Sequence, residues 1–86
     1  MKEITMFTSA SCPHCKNAER MTEALLAKHP EYRDIKIKRV DENKEPEYAA
    51  KFDYYYIPTF YVDDVKMHEG VPTEQAIEKV FSEASK

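Results

Sequence analysis

The sequence predicts an α/β domain in which a four-stranded mixed sheet carries helices on both faces, in the order βαβαββα. Three observations predict it. An apolar, β-branched run near the N-terminus leads at once into an amphipathic helical stretch. Prolines at 13, 30 and 46 fall where helices open or stop. The C-terminal stretch carries a clean apolar stripe at helical spacing.

Taken in order, Glu3 to Thr8 read as a short strand buried on both faces. Ser9-Ala10-Ser11 forms a turn, and Pro13 suits the first position of a helix. From Cys15 to about Lys28, Ala18, Met21, Leu25, Ala27 and the Lys28 stem fall near one helical face. His29-Pro30 ends that helix, because a residue before proline is pushed out of the helical region. Ile35, Ile37 and Val40 then indicate a strand, with Lys36 and Lys38 alternating outward. Pro46 opens a short second helix carrying Tyr48, Ala49 and Phe52. After Ile57-Pro58 come two strands, Thr59 to Val62 and Val65 to Glu69, joined only by Asp63-Asp64. Thr73 is a plausible N-cap for the last helix, whose stripe is Ala76, Ile77, Val80, Phe81 and Ala84. The first strand–helix–strand unit requires parallel strands, and the hairpin adds antiparallel ones. These elements use the whole chain, so residues 1–86 are expected to form a single domain.

Composition narrows the function. The chain has 86 residues, one Gly, no Trp and 34% charged residues, a globular and well-solvated composition. A net charge of −3 argues against nucleic acid, and the one basic cluster, Lys36, Lys38 and Arg39, reads as the wet side of a strand. No signal segment or long apolar stretch is visible, so no membrane association and a cytoplasmic location are expected. In a reducing compartment, two close cysteines are read as catalytic or metal-binding rather than as a staple.

Cys12-Pro13-His14-Cys15 supplies the chemistry. Two residues between cysteines at a helix start let the sulfurs join as a disulfide or part as thiols with little backbone motion. The first sulfur meets unpaired N–H groups and the positive end of the helix dipole, which favours thiolate. His14 can add a donor or a positive charge beside the same sulfur. Cys12 is therefore the expected nucleophile, and Cys15, one turn deeper, the resolving thiol. Structural zinc needs about four ligands, and the two cysteines with His14, His29 and His68 match no finger spacing. A soft-metal carrier holding Cu(I) between the two thiols is the rival from another class. His29 and His68 are read as surface residues, and Met21 and Met67 as packing residues.

With the Cys-Pro-His-Cys motif, Ile57-Pro58-Thr59 and this element order in view, the sequence resembles the thioredoxin and glutaredoxin superfamily over nearly its full length. The Pro after the first Cys is similar to glutaredoxins. The run from Val40-Asp41 through Ile57-Pro58-Thr59-Phe60 looks more like thioredoxin. The resemblance implies a thioredoxin-like fold and thiol–disulfide oxidoreductase activity. It also implies a cis Pro58 beside the active cysteines, an Ile57 backbone that pairs with substrate, and a third contact loop at Gly70 and Val71. Tyr56, from the run Tyr54-Tyr55-Tyr56, is the ring expected in the substrate groove. No cofactor is implied beyond a redox-active Cys12–Cys15 pair, with glutathione as a co-substrate if the glutaredoxin alternative holds. Partners would be disulfide-containing proteins or small molecules, with a reductase or glutathione as electron donor and the chain a monomer. Three positions depart from the thioredoxin pattern. Ser11 stands for the Trp before the first Cys, Met6 for the buried acid, and Ile37 for its partner Lys. Cys15 thus lacks the family's usual proton acceptor, leaving water or His14.

Overall fold

The computed structural model describes residues 1–86. Four strands, β1 (Ile4–Thr8), β2 (Ile37–Asp41), β3 (Thr59–Val62) and β4 (Val65–Glu69), form one sheet in the order β2-β1-β3-β4. The helices are α1 (Pro13–Lys28), α2 (Pro46–Ala49) and α3 (Glu74–Ala84). β1 runs parallel to β2 and antiparallel to β3, and β3 pairs antiparallel with β4. This is the mixed sheet and element order the sequence predicts.

Period-two alternation along β1 and β3 divides the core between two faces. Ile4 and Met6 of β1, with Phe60 and Val62 of β3, face α1 and α3. There they meet Cys15, Ala18, Leu25, Leu26, Ile77, Val80, Phe81 and Ala84. The opposite side is aromatic: Phe7, Tyr61, Val40 and Ala49 pack with Tyr48, Phe52 and Tyr54. Phe7 is its hub, with ring centroids 4.8 Å from both Phe52 and Tyr54 and 6.0 Å from Tyr61. Two long helices cover one face, whereas rings do most of the covering on the other.

Several local details differ from expectation. A 3₁₀ helix over Pro30–Asp34 follows α1, and Ile35 closes it by donating to the Tyr32 carbonyl, so β2 starts only at Ile37. Ala27 and Lys28 are exposed, and Thr22 and Leu26 take the buried stripe instead. Ala27 lies nine positions beyond Ala18, which at about 100° per residue is half a turn off the core face. α2 stops at Ala49, and Phe52 follows it through i→i+3 turns from Lys51 to Tyr48 and from Phe52 to Ala49. The basic cluster of β2 is satisfied locally. Lys36 lies 3.5 Å from Glu3, Arg39 grips Glu19 through two hydrogen bonds, and Lys38 sits over the Tyr48 ring.

The turns obey their residue types. Asp63, with φ 51°, takes the left-handed position of the β3–β4 hairpin. Thr73 caps α3 by accepting from the Ala76 N–H. In β3–β4 the register shifts from Phe60↔His68 to Tyr61↔Lys66, so Met67 is an extra residue in β4.

The aromatic face hangs on Phe7. Phe7→Ala is expected to cost about 3–5 kcal/mol of folding stability, measured by urea denaturation. Thr73→Ala, which removes only a cap, should cost about 1 kcal/mol.

Candidate active site

Cys12 is the N-cap of α1, a role usually taken by Ser, Thr or Asp. Its sulfur accepts a hydrogen bond from the Cys15 N–H at 3.1 Å. Pro13 occupies N1, where its missing N–H costs nothing. Cys12 is half-buried and Cys15 only 2% exposed, and both are free thiols. The two sulfurs thus differ in access although they sit in the same turn.

Burial pushes the Cys15 thiol up to about 11 from its ordinary 9.0, and its hydrogen bond to Cys12 pushes the same way. Hydrogen bonds from the Thr8 side chain and the Ser9 backbone oppose these effects without cancelling them. No carboxylate acts on this thiol, and Met6 packs in the same core cluster. His14 is exposed and makes no hydrogen bond to either sulfur. The donor expected from it comes instead from the backbone at the third helical position.

Opposite the cysteines lies the segment 54–58. The Ile57–Pro58 peptide is cis, and the Ile57 carbonyl is 3.9 Å from the Cys12 sulfur. The Ile57 N–H makes no hydrogen bond within the chain. The Pro58 carbonyl is taken by the Gly70 N–H at 2.9 Å, which ties the third loop to the second. Gly70 has φ 93°, a conformation that side-chain-bearing residues resist, and a Cβ there would lie 3.8 Å from Tyr56 Cβ. Beyond it, His68 Nε2 lies 2.9 Å from the Val71 carbonyl and 3.3 Å from that of Gly70. His68 is therefore a strap for the Gly70–Val71 loop.

Tyr54, Tyr55 and Tyr56 separate into different roles. Tyr54 stacks on Phe7 and donates to Glu42, and burial with that carboxylate drives its phenol well above the ordinary range. Tyr55 and Tyr56 are 87% and 70% exposed, and Val71 also stands exposed. The two largest concavities, about 410 and 400 Å³, are lined from 44–51 and 42–55 and contain neither cysteine. The two cysteines therefore sit outside these concavities.

Two supporting residues, Lys66 and Glu69, escaped the sequence reading, and Thr59, read there only as part of Ile57-Pro58-Thr59, makes a specific contact. Thr59 donates its hydroxyl to the Tyr56 carbonyl. Glu69 Oε2 accepts from the backbone N–H groups of Tyr55 at 2.6 Å and Tyr56 at 3.0 Å. Glu69 Oε1 accepts from Lys66 Nζ at 2.8 Å, and Lys66 also reaches the Asp53 carbonyl at 3.2 Å. Lys66 and these two N–H groups hold the Glu69 carboxyl down at about 2. Residues 66 and 69 would lie on opposite faces of a regular strand, and the extra residue Met67 brings them to one face. An alternation pattern cannot signal that pair, although an acidic residue immediately before the lone Gly was visible.

Comparison with known proteins agrees with this geometry. A thioredoxin-domain family model matches residues 2–82. A thioredoxin of Methanocaldococcus jannaschii is 31% identical over 75 residues, spanning 87% of this chain and 86% of that protein. Among solved structures, mitochondrial thioredoxin 3 from Saccharomyces cerevisiae superposes with a TM-score of 0.70 at 21% identity. It covers 95% of this chain and 77% of its own. Fasciola hepatica thioredoxin gives a TM-score of 0.67 at 23% identity, covering 94% and 78%. The two structural likenesses speak for the fold. The family match along almost the whole length, together with the Methanocaldococcus relative, makes this chain a member of the thioredoxin family and a thioredoxin-like redox protein.

Proposed function

We propose that the protein is a thiol–disulfide oxidoreductase working in the dithiol mode through Cys12-Pro13-His14-Cys15. The observation that carries this is the position of the Cys12 sulfur. It caps a helix, accepts the Cys15 N–H, and stands 3.9 Å from the Ile57 carbonyl. An accessible sulfur with a fixed donor and a buried thiol one turn away is what a two-step exchange requires.

In the first step the Cys12 thiolate attacks one sulfur of a substrate disulfide. A Cys12–substrate mixed disulfide forms, and the other substrate sulfur leaves as a thiolate that takes a proton. In the second, the Cys15 sulfur attacks Cys12, the Cys12–Cys15 disulfide forms, and the second substrate sulfur departs with the proton of Cys15. Two electrons pass from the protein to the substrate, which leaves as two thiols; one proton comes from Cys15 and the other from solvent, to which the Cys12 thiolate has already lost its own. The departing sulfur serves as proton acceptor because no side-chain carboxylate acts on Cys15. The helix N-terminus steadies negative charge on Cys12 when it is the attacker; in the second step Cys12 is the sulfur attacked and the substrate sulfur leaves.

The proposal extends to circumstances. The substrates are disulfide-containing proteins or small molecules, and the chain acts as a monomer in a reducing cytoplasm. A reductase or glutathione returns it to the dithiol. No helix is long and apolar enough to cross a membrane. Rates of reduction by glutathione and by a thioredoxin reductase, compared side by side, separate the thioredoxin-like mode from the glutaredoxin-like one.

Cys12→Ser should abolish disulfide reduction. Cys15→Ser should still attack and should accumulate the mixed disulfide, seen as a mass increase equal to the bound substrate half. Absence of the adduct in Cys15→Ser, with tight Cu(I) binding by the unsubstituted chain, would favour the soft-metal carrier instead.

The buried thiol also predicts a pH dependence of the reduced form. Cys15 holds its proton in the fold to about 11 and releases it at 9.0 when unfolded. Native protein binds the extra proton in between, so stability is full below 9.0 and falls as pH rises toward 11. The loss is at most about 3 kcal/mol, at about 1.4 kcal/mol per pKa unit. Urea midpoints are taken on both sides of that window: the midpoint should fall with rising pH in the reduced protein and fall less in Cys15→Ala.

A further inference from the structure

We propose that Glu69 is a positioning residue for substrate binding: its carboxylate holds the Tyr55–Tyr56 backbone so that the next peptide edge, at Ile57, is free to pair with a peptide bonded to Cys12. This inference rests on the exchange reaction proposed above and assigns one of its supporting groups.

Three consecutive N–H groups lie along Tyr55, Tyr56 and Ile57. Oε2 of Glu69 takes the first two, at 2.6 and 3.0 Å, and the third makes no bond within the chain. Successive N–H groups converging on one anionic oxygen fix the intervening peptide planes. The direction of the next peptide follows from them. At that peptide the Ile57 N–H is unpaired, and the Ile57 carbonyl meets no donor in the chain except the Cys12 thiol at 3.9 Å. An N–H and a C=O left unpaired on one residue form the edge to which an extended chain adds as a strand. A substrate sulfur bonded to Cys12 brings its own backbone over this edge.

The neighbouring contacts lock the other ends of the segment. Lys66 binds both Glu69 and the Asp53 carbonyl, while Tyr61 donates its hydroxyl to the same carbonyl at 2.9 Å. Thr59 secures the Tyr56 carbonyl, and Gly70 secures that of Pro58. The Tyr54 backbone and the Tyr55 carbonyl are also unpaired, and it is the Ile57 edge that lies against the Cys12 sulfur. Glu69 itself does not touch either sulfur, and the Cys12–Cys15 chemistry is held separately by α1.

Such a role has a distinctive kinetic signature. A substrate that uses backbone pairing needs the Ile57 edge, and a small disulfide without peptide groups does not. Initial rates are measured for Glu69→Ala, Glu69→Gln and the unsubstituted chain. The substrates are a disulfide-bonded model peptide and bis(2-hydroxyethyl) disulfide. In Glu69→Ala, KM for the peptide should rise about tenfold, as expected for lost backbone ordering. kcat should change little, and the small disulfide should be affected far less. Glu69→Gln retains one acceptor oxygen for the two N–H groups, so its peptide KM should fall between the other two. Equal losses on both substrates, or an unchanged peptide KM in Glu69→Ala, would overturn the inference while leaving the exchange reaction standing. No turnover of either disulfide by the unsubstituted chain would overturn the exchange reaction and this inference with it.

Discussion

The antiparallel register of β1 with β3 sets Phe7 opposite Thr59, and both halves of the redox site hang from that pair. Downstream of Phe7 the chain leaves the sheet through Ser9 and turns into α1 at Cys12. Immediately before Thr59 lie Ile57 and the cis-linked Pro58. One sheet register thereby places a helix N-cap and an irregular loop, 45 residues apart in sequence, within 3.9 Å of each other. A slip of one residue would turn Phe60 and Val62 away from α1 and α3 and carry Pro58 away from the sulfur. Burial of β1 on both faces resists that slip, because Ile4 and Met6 fill one packed environment and Phe7 fills the other. Packing of a central strand and alignment of the chemistry are therefore one constraint.

Within that frame the two cysteines are made unequal by depth alone. The same helical turn sets Cys12 at the mouth and Cys15 against Met6 and Ala18 in the core cluster. Burial keeps the inner thiol protonated and ready to donate, while the outer sulfur receives a backbone N–H. The buried carboxylate familiar from the thioredoxin pattern is replaced by an apolar side chain at Met6. The inner thiol's nearest polar company is accordingly the Thr8 side chain, the Ser9 backbone and its own partner sulfur. Such an environment favours the protonated form of Cys15, which in the proposed exchange leaves its proton for the departing sulfur.

The parts legible in the sequence were those governed by short-range rules. Proline at N1, the Asp63-Asp64 hairpin, the Thr73 cap and the α3 stripe are local preferences, and each stands where its residues put it. The pair of cysteines and Ile57-Pro58-Thr59 could be joined into one site because they form a recognisable pattern at a known separation. What stayed hidden depends on partners distant in sequence. The Ile35 boundary moved because a 3₁₀ helix, tied by turn bonds and packed through Tyr32 near Phe81, uses that residue as its end. His14 looked like the natural donor to sulfur by adjacency, yet a backbone group occupies that direction. Glu69 looked like an ordinary strand carboxylate, because neither its loop partners nor the irregularity that aims it leave a trace in residue types.

That irregularity, the additional Met67 in β4, makes strand length part of the site. Along a strand the two faces alternate like even and odd numbers, and one inserted residue changes the parity of everything after it. Glu69 owes its side of the sheet to that count as much as to its own identity. Losing a single residue from β4 would act on the loop as a frameshift acts on a message. Every amino acid type could be retained, yet the carboxylate would be delivered to the wrong address. For this rim of the protein, what sets the geometry is a number of residues as well as a set of side chains.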